Sequence, residues 1–105
     1  MNQGLWTAVD EYLNEVLVGA DESLEQALAH STEAGLPAIS VSPAQGKFMM
    51  MLARVQGARR ILEIGTLGAY STIWFAKALP ADGRIITIES EPKHAEVARE
   101  NIEAA

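Results

Sequence analysis

A chain of 105 residues, 49% of them hydrophobic, is the size of one small domain and holds enough apolar material for a modest core. Its net charge of −6 and pI of about 4.8 lack the basic field that nonspecific nucleic-acid or anionic-membrane binding needs, so neither is expected as a partner. The absence of cysteine excludes a disulfide framework, a thiolate metal site and a cysteine nucleophile, and fits a reducing compartment such as the cytoplasm.

The first residues lack the basic start and apolar run of a secretory signal, and no apolar stretch approaches the roughly 20 residues of a membrane helix. Leu5, Val9, Tyr12, Leu13, Val16 and Leu17 recur at spacings of three and four, which predicts an amphipathic helix ending at Gly19. Asp21 is a good N-cap for a second helix with Leu24, Ala27, Leu28 and Ser31 on one face, ended by Gly35 and Pro37. The pair carries no nameable chemistry and reads as a packing hairpin, a substrate lid or a dimer contact. Residues 38–41 form an extended link. Ser42-Pro43-Ala44-Gln45 is then a capping box with proline at the first helical position, opening a third helix to about Val55. That helix is expected to bury Phe48, Met51, Leu52 and Val55, with Met49-Met50-Met51 as adaptable core filler.

The apolar run Ile61, Leu62 and Ile64 predicts a parallel strand covered on both faces by helices. It enters the turn Gly65-Thr66-Leu67-Gly68, followed by a helix from Ser71 to Leu79 with Ile73, Phe75, Ala76 and Leu79 available for burial. Ser71 could cap that helix, and Trp74 reads as packing or an oligomer contact. Asp82-Gly83 is a turn signal, and residues 84–89 form a second, β-branched strand. Pro92 starts a last helix with Ala95, Ala98 and Ile102 on one stripe and Val97 beside it. His30 and His94, without ligand spacing, read as surface histidines. The expected fold is α/β: helices over residues 1–57, then a β-α-β-α unit over residues 58–105, with parallel strands.

The glycine turn is not the dinucleotide fingerprint, because Leu67 stands where the second glycine should be. The carboxylate of Glu63 would repel a phosphate and suits an ammonium or sulfonium ligand. Glu89 ends the second strand 24 positions beyond Gly65, near the spacing at which an acid takes a ribose diol; a solvated strand end is the alternative.

Ile61-Leu62-Glu63-Ile64-Gly65-Thr66 with Gly68-Ala69-Tyr70-Ser71, and then residues 79–89, resemble the cation-dependent O-methyltransferases of the catechol and caffeoyl-CoA group. The resemblance runs from about Val41 onward. It implies a Rossmann-like methyltransferase fold and S-adenosylmethionine as cofactor. By the same resemblance, Glu63, Gly65 and Thr66 would line the methionine end, Ser71 would hold its carboxylate, Glu89 would take the ribose, and the backbone of Val41 would help close the site. Leu67 replaces the aromatic residue that several relatives place there. The family's divalent metal is held by later strands and loops, so its ligands are expected to be missing here, as is the lysine that assists the acceptor hydroxyl. The reading is therefore the N-terminal, cofactor-binding part of an enzyme that methylates a hydroxyl of a small, catechol-like acceptor. A two-stranded sheet leaves unpaired edges, which predicts a homo-oligomer. The alternatives are a noncatalytic oligomerising scaffold without nucleotide ligand and, disfavoured by Leu67 and Glu63, a dinucleotide-binding module.

Overall fold

Among the described residues, two short parallel strands and the helix joining them form the centre, with three helices before and one after. The computed structural model describes residues 2–105. Helix α1 (Gln3–Leu13) continues into a π-helical turn, Asn14–Val18, and is followed by α2 (Glu22–Glu33) and α3 (Pro43–Val55). Strand β1 (Arg60–Ile64), α4 (Tyr70–Ala76), β2 (Arg84–Ile88) and α5 (Pro92–Ala104) complete the order. The strands pair in parallel from Arg60 opposite Arg84 to Ile64 opposite Ile88, as the strand-helix-strand pattern requires. No helix among the described residues is long and apolar enough to cross a membrane.

The helix starts follow the sequence signals. Asp21 accepts the Leu24 N–H at 3.2 Å and Ser42 accepts the Gln45 N–H at 3.2 Å, with Pro43 in the first turn of α3. Lys77, the residue that ends α4 as its C-cap, reaches the Asp21 carboxylate at 2.9 Å and, with Ser23, holds its carboxyl down at about 2. The start of α2 is thereby fastened to α4.

The docking faces differ from expectation. Helix α3 buries Gly46, Met50 and Ala53, while Phe48, Met51, Leu52 and Val55 point outward, Val55 at 85% exposure. The reason is close approach. A Cβ on Gly46 would lie 2.3 Å from Cδ1 of Trp74, so α3 meets α4 along its smallest residues. Helix α4 ends at Ala76, earlier than expected, and buries Tyr70, Thr72, Ile73 and Trp74. Trp74 is thus a packing residue within this chain, in a core shared with Leu24, Ala27 and Met50. Helix α2 buries Leu24 and Ala27 as its pattern implied, whereas the stripe of Leu5, Val9 and Tyr12 on α1 and Val16 and Leu17 on its π-helical turn remains exposed. On α5 the buried residues are Val97, Ala98 and Asn101, and Ile102 is partly exposed.

The sheet is covered on one face, not two. Ile61, Glu63, Ile85 and Thr87 are half-buried, and residues of α4 and α5 border the Ile85 and Thr87 side. On the opposite face Leu62, Ile64, Ile86 and Ile88 are 65%, 74%, 62% and 52% exposed. The apolar run of β1 predicted a strand covered on both faces, but among the described residues the second face has no cover.

Candidate functional site

The site is the corner where β1 leaves the sheet. Gly65 extends the ladder by donating its N–H to Ile88 O at 2.8 Å, then turns at φ 92°, where a side chain would be strained. Leu67 and Ala69 also take left-handed backbone, at φ 51° and 70°, which is costly for residues bearing a Cβ. Three contacts hold them there. The Leu67 N–H donates to Glu89 Oε1 at 2.8 Å, the Ala69 N–H donates to Thr66 O at 2.9 Å, and Gly68 O accepts Asn101 Nδ2 at 2.8 Å. Ala69 occupies the N-cap position of α4, so Ser71 is inside the helix and does not cap it.

Glu63 sits behind this corner. Its Oε2 accepts the Ser71 hydroxyl at 2.7 Å, and its Oε1 accepts Thr87 Oγ1 at 2.8 Å together with Thr72 Oγ1. Since the one hydroxyl proton of Thr87 goes to Glu63, the 2.6 Å contact between Thr66 and Thr87 must be donated by Thr66. The carboxylate is therefore satisfied by protein hydroxyls on β2 and α4 and ties the strand end to the helix start.

Glu89 faces the other way. Besides Leu67, its second oxygen accepts the Glu91 N–H at 3.1 Å, and His94 Nδ1 lies 3.9 Å away. The backbone donors, Leu67 first and Glu91 next, hold its carboxyl below the usual carboxylate range, so it is an anion at neutral pH. Each oxygen retains an unused acceptor direction.

A cleft of about 260 Å³ opens between these groups. Val41, Gly65, Thr66, Ser71 and Glu89 line it, with Leu67 and Tyr70 as apolar walls. Five of the six site residues expected from the sequence thus meet in one cavity, and Glu63 lies outside its lining. The position of the Gly65 hydrogen opens onto empty space, with nothing within 4 Å of an added Cβ, so backbone rather than side chain forms that part of the cradle. Burial raises the pKa of the Tyr70 hydroxyl, keeping that wall neutral.

Sequence reasoning missed three contributors. Asn101, on the buried side of α5, had no signal beyond its place one residue before Ile102. Thr87 fell within the β-branched second strand and Thr72 within the helix before it, and neither was singled out. The histidines were also misplaced: His94 is half-buried beside Glu89, and His30 bridges α2 to α5 by meeting Asn101 Oδ1 at 2.8 Å and Glu100 at 3.0 Å. Among the described residues, no group of three His, Cys, Asp or Glu side chains is arranged to hold a metal ion.

Comparison with known proteins agrees with this geometry. The chain is 52% identical over all 105 residues to a catechol O-methyltransferase of Niastella koreensis, covering 48% of that protein. It is 55% identical over 97 residues to a catechol O-methyltransferase of Mycobacterium tuberculosis, covering 92% of this chain and 44% of the relative. An O-methyltransferase from Bacillus cereus, solved in complex with SAH, superposes with a TM-score of 0.93 at 54% identity, over 96% of this chain and 46% of that one. This chain therefore spans about half the length of the relatives it matches. Residues 14–105 match the O-methyltransferase family, and with that match, the sequence identities and the Rossmann-like corner together, the chain belongs to the O-methyltransferase family.

Proposed function

We propose that this chain is the cofactor-binding half of an S-adenosylmethionine-dependent O-methyltransferase whose acceptor is a small molecule with a catechol-like hydroxyl. The observation that carries the reading is Glu89: an anionic carboxylate, oriented through both oxygens by backbone donors, at the rim of a cleft cradled by Gly65 and Thr66. Two free acceptor directions on one rigid carboxylate match two adjacent ribose hydroxyls. The family match, the SAH complex of the Bacillus cereus relative and the activity for which the catechol O-methyltransferases are named support the same reading.

When bound, the cofactor supplies an already activated methyl group on a sulfonium. The chain's own work is placement. Glu89 would fix the ribose, the Gly65 and Thr66 backbone would pass beside the methionine end, and Val41 would close the cleft from the link before α3. Ser71 gives its proton to Glu63 in this conformation, so holding the methionine carboxylate requires that hydroxyl to turn. Thr72 and Thr87 would then continue to satisfy Glu63, whose role is to position rather than to touch. The acceptor, its base and the divalent metal implied by the resemblance would be held by residues outside these 105, so cofactor uptake with little or no methyl transfer is expected of this chain alone.

Calorimetric titration with S-adenosylhomocysteine tests the reading. The wild-type chain is expected to bind, and Glu89→Ala to weaken binding on the order of tenfold to a hundredfold, as loss of a charged bidentate partner implies. No heat from either protein would defeat it. The uncovered strand face further supports self-association, and the cysteine-free composition supports a cytoplasmic setting. A monodisperse monomer in light scattering at micromolar concentration would remove the first.

A further inference from the structure

The glycine turn is held from below by a group that belongs neither to the strand nor to its helix. Asn101 is 5% exposed, and its side chain meets four partners on two other elements. Nδ2 donates to Gly68 O at 2.8 Å and faces Ala27 O and Ser31 Oγ, each at 3.3 Å. Oδ1 meets His30 Nδ1 at 2.8 Å. The orientation of the amide follows from the chemistry of these partners. Gly68 O and Ala27 O can only accept, and Ser31 donates its own proton to Ala27 O at 2.7 Å, so three oxygens demand the amide NH2 on one side. The carbonyl must then point at His30, which donates to it. A reversed amide would set its oxygen against three oxygens.

We propose that Asn101, oriented by His30, is a positioning residue for the cofactor turn: it pins Gly68 O and so keeps the neighbouring left-handed residues Leu67 and Ala69 in the shape that the cleft requires. The inference rests on the cofactor reading above. Leu67 lines the cleft and gives its N–H to Glu89, so a shift at Gly68 reaches both the apolar wall and the ribose-binding carboxylate. Ala69 opens α4, and its displacement would move Tyr70 and Ser71. Asn101 and its four partners lie outside the lining of the cleft, so the clamp would touch nothing that reacts. Its role is to keep two strained residues strained when thermal motion would relax them.

Asn101→Asp tests the clamp because it keeps the shape and removes both N–H donors. Amide hydrogen exchange, resolved by residue, is expected to accelerate at least about tenfold at Leu67 and Ala69, the effect of losing one buried hydrogen bond, while Met50 and Ala53 of α3 stay unchanged. Affinity for S-adenosylhomocysteine is expected to fall by a similar factor. If Asn101→Asp does not fold, His30→Ala, at a half-exposed site, releases the amide carbonyl and should produce a smaller change of the same pattern, with His30→Gln restoring the donor and the wild-type exchange. Unchanged exchange at Leu67 and Ala69, equal acceleration in α3, or unchanged affinity in a variant whose turn has loosened overturns the proposal. A wild-type chain that takes up no S-adenosylhomocysteine would defeat the cofactor reading instead, and the exchange pattern would still decide whether Asn101 holds the turn.

Discussion

The glycine corner and the outer faces of α1, α3 and the sheet obey opposite rules. At the corner, polar groups are satisfied by specific partners: Glu63 by three hydroxyls, Glu89 by two backbone donors, Asn101 by four contacts. On the outer faces, large apolar side chains such as Val9, Tyr12, Leu52, Val55 and Ile64 are 47% to 85% exposed. The difference teaches that the information in these residues is concentrated where backbone must be bent and held. The apolar faces specify only that something is to cover them.

The largest contrast is predicted between Trp74 and Val55, both apolar and both on helices. Trp74→Ala removes a side chain 5% exposed at the centre of the helical core and is expected to cost about 3–5 kcal/mol. Val55→Gln, at 85% exposure, is expected to stay within about 0.5 kcal/mol. Urea denaturation of the two variants measures both, and a large loss at Val55 would mean that another copy covers it.

A smaller effect tests the tightness of the corner. A Cβ on Gly68 would fall 2.0 Å from Ser31 Oγ and 3.1 Å from Ser31 Cβ, so Gly68→Ala forces that hydroxyl off Ala27 O. A loss of about 1–3 kcal/mol is expected, and the double variant with Ser31→Ala should recover part of it. Full additivity in thermal melts would break the idea that these residues compete for one space.

The smallest effect is electrostatic. The folded carboxyl of Asp21 titrates at about 2 against an ordinary value of 3.8, mainly because Lys77 and Ser23 bind its charged form. A depressed pKa of this kind stabilises the fold fully above the ordinary value and loses that contribution as pH falls from about 4 towards 2. The pair is about one-third exposed on each side, so solvent screening holds the contribution below about 1 kcal/mol. Asp21→Asn should lower stability at pH 7 by that amount and flatten the acid limb. An unchanged slope between pH 4 and pH 2 would show that the Lys77 contact carries nothing.

Much of this was legible in the chain. The caps at Asp21 and Ser42 and the parallel pair around residues 60–64 and 84–88 follow from local chemistry and spacing, whereas the grouping of Val41, Gly65, Thr66, Ser71 and Glu89 was what the family resemblance implied. What failed was the choice of face. Helix α3 has two candidate faces, and size alone favours Phe48, Met51, Leu52 and Val55. The winning face is the one whose glycine admits an indole from α4, a fact about a partner 28 residues away. Asn101 was illegible for the same reason. A polar residue in an acidic helix signals solvent until the chain brings four partners around it. Glu63 was expected to line the methionine end, and its spacing could not reveal that hydroxyls on Ser71, Thr72 and Thr87 would engage it.

The left-handed pair Leu67 and Ala69 also bears on how a ligand arrives. Because both are fixed by contacts within the chain itself, the turn would not depend on a guest to hold its shape. A molecule entering the cleft then immobilises little backbone, and its capture resembles a key meeting a cut lock more than the folding of a flap.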